Sequence, residues 1–423
     1  MTELSSAKPV AGGQSLFGNR WQHWDKSSWV WLLAIVILVI LVVNPLARLL
    51  LVSFQQPGTG AFTLGNYVAA YSRARYVDAL FNSLILGACS ATLCLFFGVP
   101  LAWALSRTDM PGKGIIWISI LGTFVIPPYL GAVGWILLAG PNAGWLNKVV
   151  VAVTGMEKGP FNIYSMPGLV LVVACYSFPY VFVFTKSSLD LISSEMEDAA
   201  NILGAGNLRT TLSVTLPLAL PAILGAFIVT FLEAIALFGS PALLALPGRF
   251  HVVTTQLWQF FEFPPKVEVA AAYAMPLLVI TILLFALQRR ITARKGYVAL
   301  TGKGGERRPV PLGGWKWPLL GYCLAICTLS FFMPMVVICQ AAFAKAWGRG
   351  FSLDNLTLRN LYFTIFENPL TRNATVNTFL YSATAAAFAI ILALAIAYIV
   401  NRKLVGPAFG GMLSFLTLAP FVI

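Results

Sequence analysis

The sequence predicts an all-α polytopic membrane protein made of two tandem six-helix copies, the second one incomplete. Three observations predict it: charge is scarce, apolar runs of membrane-spanning length recur, and the end of the chain repeats its beginning.

Of 423 residues, 58% are hydrophobic and 10% are charged, with a mean hydropathy of +0.81. Soluble domains carry about 25% charged residues, so lipid is the implied solvent. Lys and Arg number 28 against 15 Asp and Glu, a net charge of +13. These cations sit between apolar runs and not on one polar domain, which points to membrane loops and away from nucleic acid. The six cysteines, Cys89, Cys94, Cys175, Cys323, Cys327 and Cys339, lie inside apolar segments, where Cys acts as a small hydrophobe. No metal site and no disulfide framework is read from them.

A spanning helix needs about 20 apolar residues. Spans are expected at 29–53, 79–105, 115–139, 167–187, 219–245, 270–288, 317–343 and 376–400, with a ninth from 408. Residues 1–28 form a polar N-terminal segment. The run after it is longer than a signal h-region and lacks a small-residue cleavage pattern. Trp103, Trp135, Trp145 and Trp258 near span ends read as interface anchors.

The stretch 291–315 is the candidate linker between a first copy at 29–290 and a second at 316–423. Its surroundings hold Arg289, Arg290, Arg294, Lys295, Lys303, Arg307 and Arg308, the densest basic cluster. Positive charge stays inside, so this loop, the N-terminus, Arg107 with Lys113, and 186–209 are placed in the cytoplasm. The copies are read from ordered matches. "NPLARLLLVSF" (44–54) answers "MPMVVICQAAF" (333–343), and "FTLGNY" (62–67) answers "FSLDNL" (351–356), both 289 residues on. "NSLILGACSATLCLFFGVPLAWALSR" (82–107) answers "NTFLYSATAAAFAIILALAIAYIVNR" (377–402) at 295, and "FVI" (124–126) recurs at 421–423. The second copy stops at Ile423 after about three helices, so the sequence is expected to be a truncated form.

Between the fourth and fifth spans lies a polar segment at about 187–221. Ser194 with Glu197 reads as a capping box, starting a helix of about ten residues. Met196, Ala199, Ala200 and Leu203 fall on one face. Gly204 suits the left-handed position after the last turn. Pro217 and Pro221 mark the first turn of the fifth span. Asp190, Glu195, Glu197 and Asp198 make the segment acidic, a poor ligand for anionic lipid but a good shape for a protein groove. Glu233 is the one acid deep within a predicted span, where it either faces a translocation path or makes a structural hydrogen bond.

The segment resembles the cytoplasmic EAA loop of ABC-importer permeases: E-A-A, three residues, G, nine residues, I, one residue, L-P. Here the pattern is Asp198-Ala199-Ala200, Gly204, Val214 and Leu216-Pro217, with Glu197 as a second acid. Asp198 and Val214 depart from the pattern conservatively. The resemblance implies two fused type I permease units of the ferric-iron importer kind, multi-pass in a bacterial inner membrane. It implies that Glu197, Asp198, Ala199, Ala200, Gly204, Val214, Leu216 and Pro217 couple to a separate cytoplasmic ATPase dimer. ATP would be used by that partner, with no cofactor on this chain, and a periplasmic substrate-binding protein would deliver the ligand. Ferric iron is the first expectation for that ligand; thiamine and aminoethylphosphonate importers share the layout. A second EAA acid is expected near residue ~495 by the repeat.

No G-x-x-x-x-G-K-[ST] phosphate cradle and no catalytic constellation occurs, so no enzyme is read here. The rival class is a secondary transporter with six-helix repeats, which should show several intramembrane charges for ion coupling. The resemblance also implies that 423 residues do not suffice for transport; uptake by this fragment alone would contradict it.

Overall fold

The computed structural model describes Leu33 and residues 35–294, 309–349 and 352–402. Among these residues every regular element is helical, and strand pairing is limited to isolated bridges. The helices are α1 (Ile35–Ser53), α2 (Gly65–Tyr71), α3 (Ala74–Arg107), α4 (Lys113–Val125), α5 (Pro128–Ala139), α6 (Trp145–Thr154), α7 (Met166–Leu191) and α8 (Ser194–Ile202). After them come α9 (207–236), α10 (Gly239–Leu244), α11 (Val253–Phe261), α12 (Val267–Arg294), α13 (Gly313–Phe343), α14 (359–367) and α15 (Pro369–Asn401). Among the described residues seven helices are long and apolar enough to cross a membrane, eight if the bent pair α4–α5 is one span.

Contacts divide the chain into two units, one of residues up to Leu46 with those from Asn377, the other spanning 47–376. In the first, Leu38 and Val42 pack against Ile396 and Ile399. In the second, α3, α7 and α9 form the core. Leu101, Leu169, Phe178 and Phe182 are fully buried there. Small residues set the helix spacing: a Cβ on Gly98 would stand 2.8 Å from Val181, and one on Gly87 2.7 Å from Ile235. Without a hydrophobic drive between helices in lipid, such close packing is a main source of association.

Two expected spans differ from the structure. The run 115–139 is broken by a 105° bend between Val125 and Pro128. Ile126 is extended (ψ 122), as a residue before proline prefers, and Pro128 then opens α5. The fifth span ends at Ala236 and not near 245, because Leu237 turns extended and residues 239–244 form the separate α10. Trp135 is also no interface anchor; it lies buried in the core. Four of the cysteines, Cys94, Cys175, Cys323 and Cys327, are buried as small hydrophobes, while Cys89 and Cys339 are exposed. The expected ninth span and the linker cations Lys295, Lys303, Arg307 and Arg308 lie outside the described residues.

Four π turns occur among the described residues, at Val39–Val43, Thr211–Thr215, Thr328–Phe332 and Phe363–Glu367. Each is followed by one residue and then a proline: Pro45, Pro217, Pro334 and Pro369. A π turn adds a residue whose carbonyl has no amide to bind, and proline removes one amide. Placed together, the two defects leave one unpaired carbonyl where apart they would leave two. In lipid each such group costs several kcal/mol, so the pairing is favourable. Pro100, Pro179, Pro221 and Pro276 sit inside helices without a wide turn, so proline alone does not dictate one.

Hydrogen bonds of the same kind occur at two places in the chain. The π turns of α1 and α13 stand 289 residues apart. Asn66 donates to the carbonyls of Ser53 (3.0 Å) and Gln55 (2.8 Å), and Asn360 donates to those of Ala342 (3.2 Å) and Ala344 (2.9 Å). The bridge Gln55–Phe62 recurs as Ala344–Leu356. "FTLGNY" therefore matches "LTLRNL" (356–361), 294 residues on, and not "FSLDNL" as its letters suggest. The second loop is five residues longer. It is folded over by Asn355, whose side chain exchanges hydrogen bonds with Ala346 in both directions. It reaches the segment between α5 and α6, where Trp347 Nε1 donates to Ala143 O (3.3 Å), and α6 itself, whose Lys148 Nζ donates to Gly348 O (3.4 Å).

The loop before α11 is tied to the start of α3. Asn82 donates to His251 O (2.9 Å), and Arg75 donates to His251 Nε2 (2.8 Å) and to Gln259. Burial, with the Arg75 guanidinium beside it, holds His251 below its ordinary value of about 6.5. The neutral ring is the one that accepts from Arg75. The contact is thus fully present above about pH 6.5 and is lost as pH falls through the lowered folded value. Thermal midpoints in detergent should fall on acidification below about pH 6.5, and His251→Gln should flatten that dependence. Asn66→Ala and Asn360→Ala, which strand two carbonyls each, should each destabilise by about 1–3 kcal/mol in the same assay.

Candidate functional site

The site is built on α8 and on the ends of the helices around it. Ser193 Oγ accepts from the Glu195 amide at 3.3 Å, ahead of the first turn. Glu195 and Glu197 in that turn favour the positive end of the helix dipole. At the other end Gly204 adopts φ +85, and the Ala205 amide bonds Ala200 O at 3.0 Å. This is the glycine-terminated cap the sequence predicts.

The expected apolar face points out of the fold. Met196 and Ala199 are exposed, and Ile202 and Leu203 are 86% and 87% exposed. Ala200 is half-buried. Met196, Ala199, Ile202 and Leu203, on α8 and just after it, make a patch that has no cover among the described residues.

Glu197 does not do what the capping box predicts. It turns inward and is only 7% exposed. Its Oε1 accepts from Thr215 Oγ1 at 2.7 Å, and its Oε2 lies 3.4 Å from Arg107 Nη1. A charged guanidinium and a hydroxyl win over the exposed amides of the helix's own first turn. Arg107, the last residue of α3, is itself buried and donates through Nη2 to the carbonyls of Leu189 (2.6 Å) and Ile192 (2.8 Å). They lie in the last turn and the cap of α7, where Leu189 O also accepts from the Ile192 amide (3.2 Å). A second link joins the same two helices: Ser106 donates to Asp190 Oδ1 (2.5 Å), and Lys186 Nζ lies 2.6 Å from Asp190 Oδ2.

Asp198 is half-buried on the wall of a cavity of about 120 Å³. Trp103, Asn207, Thr211 and Thr215 line it, and Pro309–Pro311 close it. The segment at 309–312 is held there by backbone bonds, Val310 N to Arg107 O (2.7 Å) and Asp109 N to Val310 O (3.2 Å), and by Asp109 Oδ1 accepting from Leu312 N (2.9 Å). Val214 and Leu216 are half-buried and Pro217 is exposed. Pro217 does not stand in a first helical turn as expected. The helix already begins at Asn207 and passes through the π turn, which accommodates the proline.

Glu233 lies away from this group, on α9 facing α3 and α7. Its Oε2 is buried, and Ser177 of α7 stands beside the carboxylate. Among the described residues no cluster of His, Cys, Asp and Glu could hold a metal ion. Sequence reading missed Arg107, Thr215 and the 309–312 segment as parts of the site. One signal was available: Arg107 and Arg402 end the matched helices of both copies.

A sequence model described as "Binding-protein-dependent transport system inner membrane component" matches residues 61–297, more than half of the chain. The chain belongs to this family. As a member of it, the chain is 26% identical over 402 residues to the ferric transport system permease protein FbpB of Actinobacillus pleuropneumoniae, across 93% of its own length. It spans 56% of that relative, and 61% of a putative ferric counterpart from Haemophilus influenzae. The molybdenum permease ModB of Haemophilus influenzae is 27% identical over 222 residues, 52% of this chain and 94% of ModB. A chain of a bacterial alginate ABC transporter crystallised with its periplasmic protein superposes with a TM-score of 0.53 at 18% identity, over 63% of this chain and 94% of that one. That likeness speaks for the fold. Family membership displaces the secondary-transporter alternative.

Gly204→Ala places a side chain in the left-handed region, at about 1–2 kcal/mol. It should speed limited proteolysis around 200–206 while leaving the remaining cleavage pattern unchanged.

Proposed function

We propose that this chain is a permease component of an ABC importer, contributing to the translocation path and driven by a separate cytoplasmic ATPase dimer. The observation that carries the reading is the uncovered face Met196–Ala199–Ile202–Leu203 on a helix whose other side is bolted to three spans. A short helix with small residues at its centre allows a partner backbone to come close. The inner membrane is the compartment the family description names, and the basic loops support a cytoplasmic N-terminus and a cytoplasmic α8.

For the substrate we infer ferric iron, delivered by a periplasmic binding protein. The ferric relatives, matching over 93% of the chain, support this, while the molybdenum and sulfate relatives match about half of it. Thiamine and aminoethylphosphonate remain as alternatives of the same layout. Glu233 is assigned to the path, since a carboxylate deep within a span suits a surface that meets a polar cargo.

A cysteine at Ala199 should crosslink to the co-expressed ATPase, and a cysteine at Thr215, which faces inward, should not. Failure of the Ala199 crosslink, or its labelling from the periplasm, would sink the reading. Glu233→Ala should lower iron uptake with the ATPase still bound; full uptake would remove Glu233 from the path.

A further inference from the structure

Two joints flank α8. On one side Ser193 and Ile192 connect it to α7. On the other the chain passes Gly204 (φ +85) and Gly206, around both of which an added Cβ would meet nothing within 4 Å, before α9 begins. Shortly after comes the π turn Thr211–Thr215. Left to these connections alone, α8 would swivel. A push on its outer face would be absorbed by the glycines.

The inward side removes that freedom. Glu197 is the only acid of α8 that is fully buried, and its two oxygens reach two different helices. Oε2 meets Arg107 at the end of α3, and Arg107 holds the end of α7 by two carbonyls. Oε1 takes the hydroxyl of Thr215, the last residue of the π turn in α9. Three spans and α8 thus meet at one carboxylate. We propose that Arg107, Glu197 and Thr215 are positioning residues for transport: their node makes α8 move as one body with the cytoplasmic ends of α3, α7 and α9. Displacement of α8 is then passed to the spans and not lost in the glycine joint. Glu197 acts inward, through Arg107 and Thr215, and not as a contact for the ATPase. The proposal rests on the permease reading above.

Thr215 offers the cleanest test, because Val is nearly isosteric and removes only the hydroxyl. The complete transporter containing this chain is reconstituted in proteoliposomes with its ATPase, and ATP hydrolysed is measured against substrate imported. Thr215→Val should assemble normally and hydrolyse ATP within about twofold of wild type, yet import roughly tenfold less, the equivalent of one lost hydrogen bond in the coupled step. Thr215→Ser, which keeps the hydroxyl, should import within about twofold of wild type. An unchanged ratio of ATP to substrate in Thr215→Val, whether both rates hold or both fall, overturns the node's positioning role, and so does loss of assembly in that variant. If the wild-type chain binds no ATPase, the permease reading itself fails, and the two failures are told apart.

Discussion

A single guanidinium, taken out of water where helices end, organises this structure. Arg107 carries five donors in a planar fork, so it reaches two carbonyls of one helix end and a carboxylate on another at the same time. A lysine would bring a point charge without that geometry. Because the group is buried, its partners are obligatory; removing one leaves a desolvated charge, a loss of about 3–5 kcal/mol in comparable buried pairs. The end of α3, the end of α7 and the position of α8 are therefore one arrangement and not three.

The same demand for satisfied polar groups shapes the helices inside the apolar layer. Where a proline takes away an amide, a wide turn takes away the need for one, and the combination occurs at Pro45 and again 289 residues on at Pro334. The side-chain amides of Asn66 and Asn360 do similar work at the ends of those spans, each closing two carbonyls that no helix supplies.

Most spanning helices, the short α8 and its glycine cap were legible because they depend on local periodicity and on one left-handed position. The bend after Val125 was signalled by Pro127 and Pro128, but the surrounding apolar run hid it. The capping box misled because Ser-x-x-Glu is a local pattern, while the winning partners of Glu197 stand 90 residues before it and 18 after it. No periodicity reports on such pairs. The "FSLDNL" match misled for a different reason: shared letters competed with an asparagine whose role shows only once its two carbonyl acceptors are seen.

The loops that follow α1 and α13 are closed alike by Asn66 and Asn360, yet the second carries five additional residues around Trp347. They lay an indole on the segment between α5 and α6 and a carbonyl against Lys148 of α6. The shorter loop, from Gln55 to Phe62, is closed on itself by its bridge. The longer one staples the end of α13 to a neighbouring helix.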